Sequence, residues 1–299
     1  MVLFSRLHLA LVAGALALAA CGPGTPASVR DDLGRAVALD GTPRAVLPLA
    51  PNLTELIATA AGVDRLAGVG VSDDFPPGIR DLPRIQMLPL DTEGIVALDP
   101  DLVLGSDDVN PAESADALAA LGIPAYLFRF DQVADVPRAL RTLDTLLATT
   151  GGAPAASDFE RRVATVEAAV QPFTTPRVLL LVGSETLYAF GRASYASELI
   201  RLAGGDNLTD VFDGAAAQPS DEAVLEMAPE VIIVLAGPDV DPADLLKAHP
   251  TFFSLPAVQN GRVYGVDPDL VSRPGPRLVD GLERIARLLH PEAFAAGAA

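Results

Sequence analysis

Few side chains in this sequence can do chemistry. Of 299 residues, three are histidine, one is cysteine and one is lysine. Cys21 has no partner, so neither an internal disulfide nor a multi-cysteine zinc site can form. Lys247 follows Asp-Leu-Leu rather than a glycine, which removes a phosphate-cradling Walker loop. A serine hydrolase on an α/β scaffold needs a nucleophile elbow and a histidine base. Gly183-Ser184-Glu185 lacks the Gly-x-Ser-x-Gly pattern, and no histidine falls in a predicted strand-end loop. His249 and His290 read as surface or helix-capping residues. A direct zinc or manganese receptor needs clustered imidazoles and carboxylates, which so few histidines disfavour. Carboxylates are abundant, and the formal net charge is −18. That acid excess argues against a protein that coats nucleic acid or lies on an anionic membrane. With half its residues hydrophobic and 20% charged, the chain is not disordered.

Two of the carboxylates stand out because their surroundings repeat. Glu93-Gly-Ile-Val-Ala-Leu-Asp-Pro100-Asp-Leu-Val-Leu matches Glu222-Ala-Val-Leu-Glu-Met-Ala-Pro229-Glu-Val-Ile-Ile in order: an acid, aliphatics, proline seven residues later, a second acid, then a strand. Each copy predicts a short helix with an acid in its first turn, stopped by proline and feeding a buried strand. From the residues alone, each glutamate complements its helix dipole, worth about 0.3–1 kcal/mol. Two copies predict two pseudo-equivalent halves.

The elements that position them alternate between apolar runs and helical periodicity, the pattern of a mostly parallel sheet flanked by helices. Strands are predicted at 44–49, 66–70, 101–105 and 124–129, with helices near 52–61, 92–98, 112–121 and 134–149. A second series has strands at 177–183, 230–235 and 262–266, and helices near 195–203, 220–228, 242–248 and 276–289. Gly151-Gly152-Ala153-Pro154 is expected to end one helix. A further helix then runs from Ala155 to about Val170, with Phe159, Val163, Val166 and Val170 as one buried stripe. The expected fold is therefore α/β, two Rossmann-like lobes with central, mostly parallel sheets joined by a single long backbone helix that acts as a stiff hinge. The segments are a signal peptide (1–20), a tether and entry segment (21–43), an N-terminal lobe (44–153), the linking helix (154–173), a C-terminal lobe (174–293) and a tail (294–299).

The leader carries an early arginine, Arg6, then an uncharged run from Leu7 to Ala20, too short for a settled transmembrane helix. Leu18-Ala19-Ala20-Cys21 resembles a bacterial lipobox. Cys21 is then lipidated and becomes the first residue of an extracytoplasmic, membrane-tethered protein, with each buried acyl methylene contributing about 0.8 kcal/mol.

The chain resembles the periplasmic substrate-binding lipoproteins that serve ABC importers of cobalamin, siderophores and haem, the type with a helical backbone between lobes. Six stretches carry the resemblance: Asp31-Asp32-Leu33-Gly34-Arg35, Leu49 to Leu56, Ser72-Asp73-Asp74-Phe75-Pro76-Pro77, Glu93 to Leu104, Leu202 to Asn207, and Ser272-Arg273-Pro274-Gly275-Pro276-Arg277. The resemblance implies that Glu93 and Glu222 dock the two lobes onto arginines of an ABC permease dimer with its ATPase subunits. It also implies a monomeric binding protein, not an enzyme, with no intrinsic cofactor and no bound structural metal.

Loops leaving the strand ends are expected to line a cleft between lobes. The candidate ligand contacts are Asn52, Asp74, Phe75, Met87, Asp107, Phe128, Tyr188, Tyr195 and Arg273, with Phe130 as a further aromatic. Aromatic and thioether surfaces suit a macrocycle, and Arg273, in a loop that cannot be helical, suits a ligand carboxylate, phosphate or amide. Within the family, haem binders usually offer Tyr or His to iron. Phe75 stands where related binders often carry tyrosine, although Tyr195 remains available. The acidic pairs Asp73-Asp74 and Asp107-Asp108 oppose an anionic siderophore. A corrinoid, largely neutral and rich in amides, ranks first, a ferric siderophore second and haem third. An extracytoplasmic α/β hydrolase and a scaffold protein without a small ligand are the alternatives from other classes.

Overall fold

The computed structural model describes residues 27–237 and 241–295. The leader, Cys21 and the tether as far as residue 26 lie outside the described residues, as does the end of the tail.

The apolar runs form strands that are covered on both faces. In the first lobe Val46–Pro48, Leu102–Ser106 and Ala125–Phe128 make a parallel sheet in that spatial order. Every residue of the three is buried, which is why they read as unbroken apolar runs rather than alternating ones. In the second lobe Arg177–Val182, Val231–Leu235 and Val263–Val266 run parallel side by side. Two short strands, Tyr188–Phe190 and Ala216–Ala217, continue that sheet antiparallel at one edge. The expected class, two lobes of mostly parallel sheet with flanking helices, is the one observed.

Some local expectations need correction. The strand expected at 66–70 is only Val69–Gly70, paired with Arg84–Ile85, while Leu66 bridges to Val46. Within the segment read as tether and entry, Ala27–Arg30 and Ala36–Leu39 form an antiparallel pair. Gly151 to Pro154 does not end the preceding helix. That helix, Asp135–Leu147, stops at Ala148 in the left-handed conformation (φ 50°). Gly152-Ala153-Pro154 instead forms the first turn of the linking helix, Gly152–Val170.

Two features fix that turn. The Asp144 carboxylate accepts from the Gly152 and Ala153 amides at 2.9 and 2.7 Å, satisfying donors that a helix start leaves free. A Cβ on Gly152 would fall 2.1 Å from the Leu140 carbonyl oxygen, so the two helices cross backbone to backbone and only glycine fits.

The linking helix is not free-standing. Its buried stripe, Ala156, Phe159, Val166 and Val170, belongs to one continuous core that includes Leu53 and Leu140 of the first lobe and Leu199 and Leu282 of the second. Arg162 adds ion pairs to Asp280 (2.5 Å) and Glu283 (2.8 Å) on the last long helix, Leu278–Leu289. Because packed cores resist deformation, lobe movement is confined to what this shared core allows.

Candidate functional site

The C-terminal ends of both sheets face one crevice. Val46–Pro48 leads to Ala50, Pro51 and Asn52; Leu102–Ser106 leads to Asp108 and Val109; Ala125–Phe128 leads to Phe130 and Asp131. The other lobe contributes Tyr188, Phe190, Ser194, Tyr195, Ser272 and Arg273. Together they line a cleft of about 470 Å³ between the lobes, within the size range of small-molecule sites.

Its walls differ in chemistry. Tyr188 is half exposed, while Phe130 is 2% exposed. Tyr195 is buried, and its hydroxyl donates to the Val271 carbonyl at 3.0 Å. Burial first, and the nearby Asp108 charge second, push its phenol well above the usual range, so it is a neutral phenol with its proton committed. Burial also raises the Asp108 carboxyl, helped by the charges of Asp107 and Asp131. Asp108 and Asp131 both face the cleft. The guanidinium of Arg273 faces it too, but Asp74 (2.8 Å) and Asp269 (2.9 Å) already hold it.

Of the nine predicted contacts, Asn52, Tyr188, Tyr195 and Arg273 meet on this lining. Asp74 sits behind Arg273 as its counter-ion. Asp107 lies beside the lining residue Asp108 and accepts from Arg129 at 2.7 Å. Phe75 stands at the lobe junction with the Arg277 guanidinium 4.2 Å above its ring. Two expectations are corrected. Phe128 is fully buried in the core, packed at a tilt of 47° against Tyr126 with centroids 4.7 Å apart. Met87 packs with Leu47, Leu49 and Ile95 in a separate core under the first lobe. The aromatic that reaches the cleft from this strand end is Phe130, because the chain leaves the sheet after Phe128.

Sequence reasoning missed the clasp beside the cleft. Arg277 of the second lobe makes a bidentate pair with Glu55 of the first, at 2.9 and 2.7 Å, and Glu55 is 2% exposed. Burial pushes the Glu55 carboxyl up, against the opposing pull of Arg277. Asn52 donates to the Pro274 carbonyl at 3.3 Å, and at another junction Glu198 accepts from the Val133 amide at 2.7 Å. These contacts join residues far apart in sequence, and no local pattern marks them.

The repeated helices also match in three dimensions. Thr92–Leu98 is capped by Asp91, and Asp221–Met227 by Ser220. Ile95 and Val224 are the fully buried anchors. Each helix ends in a non-glycine left-handed residue, Asp99 (φ 46°) and Ala228 (φ 44°), before a buried proline. The acids after the prolines are equivalent as well: Asp101 accepts from the Arg44 and Ala45 amides, and Glu230 from the Arg177 amide. Glu93 and Glu222 are both exposed on these matched frames. The backbone amide of Glu222 and the Ser220 hydroxyl hold the Glu222 carboxyl below its usual range.

Among the described residues, no three or more His, Cys, Asp or Glu side chains gather as a metal-ligand set, and no helix is long and apolar enough to cross a membrane.

A family model described as periplasmic binding protein matches residues 49–270. An uncharacterised ABC transporter substrate-binding lipoprotein of Bacillus subtilis is 25% identical over 282 residues, covering 90% of this chain and 87% of that one. A vitamin B12-binding protein of Pectobacterium atrosepticum is 29% identical over 254 residues, covering 83% and 88%. Among solved structures, the periplasmic vitamin B12 binding protein of Vibrio cholerae superposes with a TM-score of 0.74 at 26% identity, covering 85% of this chain and 98% of that one. A periplasmic heme binding protein from Pseudomonas aeruginosa gives the same score and identity, covering 83% and 93%.

Proposed function

Because the chain belongs to the periplasmic binding protein family, we propose that it captures a metal chelate between its lobes and delivers it to the permease of an ABC importer. A corrinoid is the favoured ligand and a ferric siderophore the second. The observation that carries this ordering is the charge of the cleft. Asp108 and Asp131 face it, and the arginine that lines it is already neutralised by Asp74 and Asp269. Strongly anionic ligands, haem with its carboxylates or a catecholate complex, meet repulsion there. A corrinoid is mostly neutral, brings its own metal, and offers amides to carboxylate acceptors and a flat face to Tyr188 and Phe190. The vitamin B12-binding relatives support a corrinoid as the ligand. Tyr195, with its proton donated to Val271, is poorly placed as an iron ligand.

Capture and release involve no chemical step in this reading. The shared core limits closure to a small movement. Glu93 and Glu222, exposed on equivalent frames, then engage basic residues on the two-fold face of a permease dimer. Cys21 carries the lipid that keeps the protein at the extracytoplasmic membrane face. The test is a calorimetric screen of the tag-free protein against cyanocobalamin, haemin and a ferric hydroxamate. Cyanocobalamin is expected to bind most tightly; preferential haemin binding overturns the ligand assignment, and binding to none of the three overturns the chelate class.

A further inference from the structure

His249 lies at the C-terminal end of the helix Asp244–Ala248, with its side chain 11% exposed. Its Nδ1 is 2.7 Å from Asp221 Oδ1, and its Nε2 is 3.1 Å from the Glu185 carbonyl oxygen. The ring stacks on Phe252 with centroids 5.0 Å apart and 15° between planes. Phe252 is itself fully buried, so the imidazole is fixed in place and orientation.

Both contacts are acceptors. An ionised carboxylate and a backbone carbonyl have no hydrogen to give. A neutral imidazole carries one N–H and would set the lone pair of its other nitrogen against an oxygen; the doubly protonated ring donates to both.

The two anchors belong to different working parts of the lobe. Asp221 is the first residue of the helix that carries Glu222. Glu185 lies in the loop between Arg177–Val182 and Tyr188–Phe190, which brings Tyr188 to the cleft wall. Leu187 and Ala189 of that segment share a core with Val224 of the helix. Around the ring, Asp221 is the titratable group in contact, and Thr251 donates to its second oxygen at 3.3 Å. Lys247, on the same helix as the histidine, is paired with Asp244, while Glu185 and Glu222 have exposed side chains. In the first lobe Thr92 stands where Asp221 does, and it cannot form an ion pair of this kind.

We propose that His249, as the imidazolium, is a positioning residue that ties the docking helix of the second lobe to its cleft wall, so that the pose of Glu222 and the placement of Tyr188 are set together and loosen together as pH rises. This rests on the reading of Glu222 as a docking residue and of the crevice as the ligand site.

The experiment is hydrogen–deuterium exchange on the ligand-free full chain at about pH 5 and about pH 8, either side of the range where imidazoles change charge, corrected for intrinsic exchange. In the wild type, amides of 183–190 and 221–227 should lose protection together by about tenfold at the higher pH, the effect of losing a charge-assisted hydrogen bond. Amides of 92–98 should not respond. His249→Gln should show low protection at both pH values, and Asp221→Asn, which keeps the histidine, should flatten the response in the same way. A pH-independent wild type, or a wild-type response retained in either variant, overturns the proposal. Repeating the measurement with cyanocobalamin separates the two readings: absence of ligand protection counts against the corrinoid, while the ligand-free pH comparison judges the tie alone.

Discussion

The helices that carry Glu93 and Glu222 share a frame and differ in what holds them. Both have a capped first turn, one fully buried aliphatic anchor, a left-handed final residue and a proline. Beyond that frame, the helix in the second lobe is tethered twice more. Asp221 reaches His249, and the Arg177 side chain donates to the Met227 and Ala228 carbonyls at the helix end. A similar division runs across the cleft. The first lobe supplies buried or partnered acids, Glu55 and Asp74, and the second supplies the arginines that clasp them. The repeat is thus a shared scaffold that the two lobes anchor differently: beside the cleft the first supplies acids to arginines of the second, and the second also connects its repeated helix, through His249, to the loop before Tyr188.

The largest difference between the lobes is expected at the glutamates. Glu93→Ala combined with Glu222→Ala should leave ligand affinity intact and cut transport by about 100-fold or more, the scale of losing paired interfacial charges. Transport assayed with each single variant separates the two lobes. Glu222→Ala should be the more damaging, and equal losses would mean that the lobes dock alike despite the extra tethers.

Next in size is the clasp. Arg277→Ala leaves Glu55 buried without its partner and should cost about 3 kcal/mol of stability by denaturant unfolding near neutral pH. Glu55 is already raised by burial, so in the folded state it binds its proton more readily than in the unfolded chain. Its contribution therefore favours folding at low pH and is lost as pH rises through its folded value. The destabilisation in Arg277→Ala should accordingly shrink on acidification, and an effect constant with pH would contradict the burial argument.

The smallest effect lies at the helix ends. Alanine tolerates left-handed backbone less well than aspartate does, so Ala228→Gly should gain about 0.5 kcal/mol. Asp99→Gly should change stability little, and equal gains at both sites would show that the two ends carry the same strain.

Much of this was legible in the sequence, for physical reasons that also explain the misses. Val231–Leu235 and Leu102–Ser106 are buried on both faces, so their apolar runs announced themselves. The Glu-to-Pro spacing showed the repeat because each helix is ended by local backbone geometry. Tyr188–Phe190 and Ala216–Ala217 escaped notice because three and two residues give no period to read. Phe128 and Phe130 have the spacing of neighbours on one strand face, and only the exit of the chain from the sheet separates core from cleft. Glu55 was within a family-like stretch, but its partner is 222 residues away, and Arg273 looked like a free cation because one counter-ion, Asp74, is 199 residues away, while the other, Asp269, is four residues away in a stretch with no helical pattern to mark the pair.

The proposed place of the chelate is the crevice between the lobes. Ala193 and Ala215 line it and are exposed, so tryptophan at both positions should fill the space without touching the core. Calorimetric titration of cyanocobalamin should show one ligand per wild-type chain, and affinity at least about tenfold weaker in Ala193→Trp/Ala215→Trp at an unchanged melting temperature. Equal binding by both proteins, or no binding by the wild type, would contradict the account.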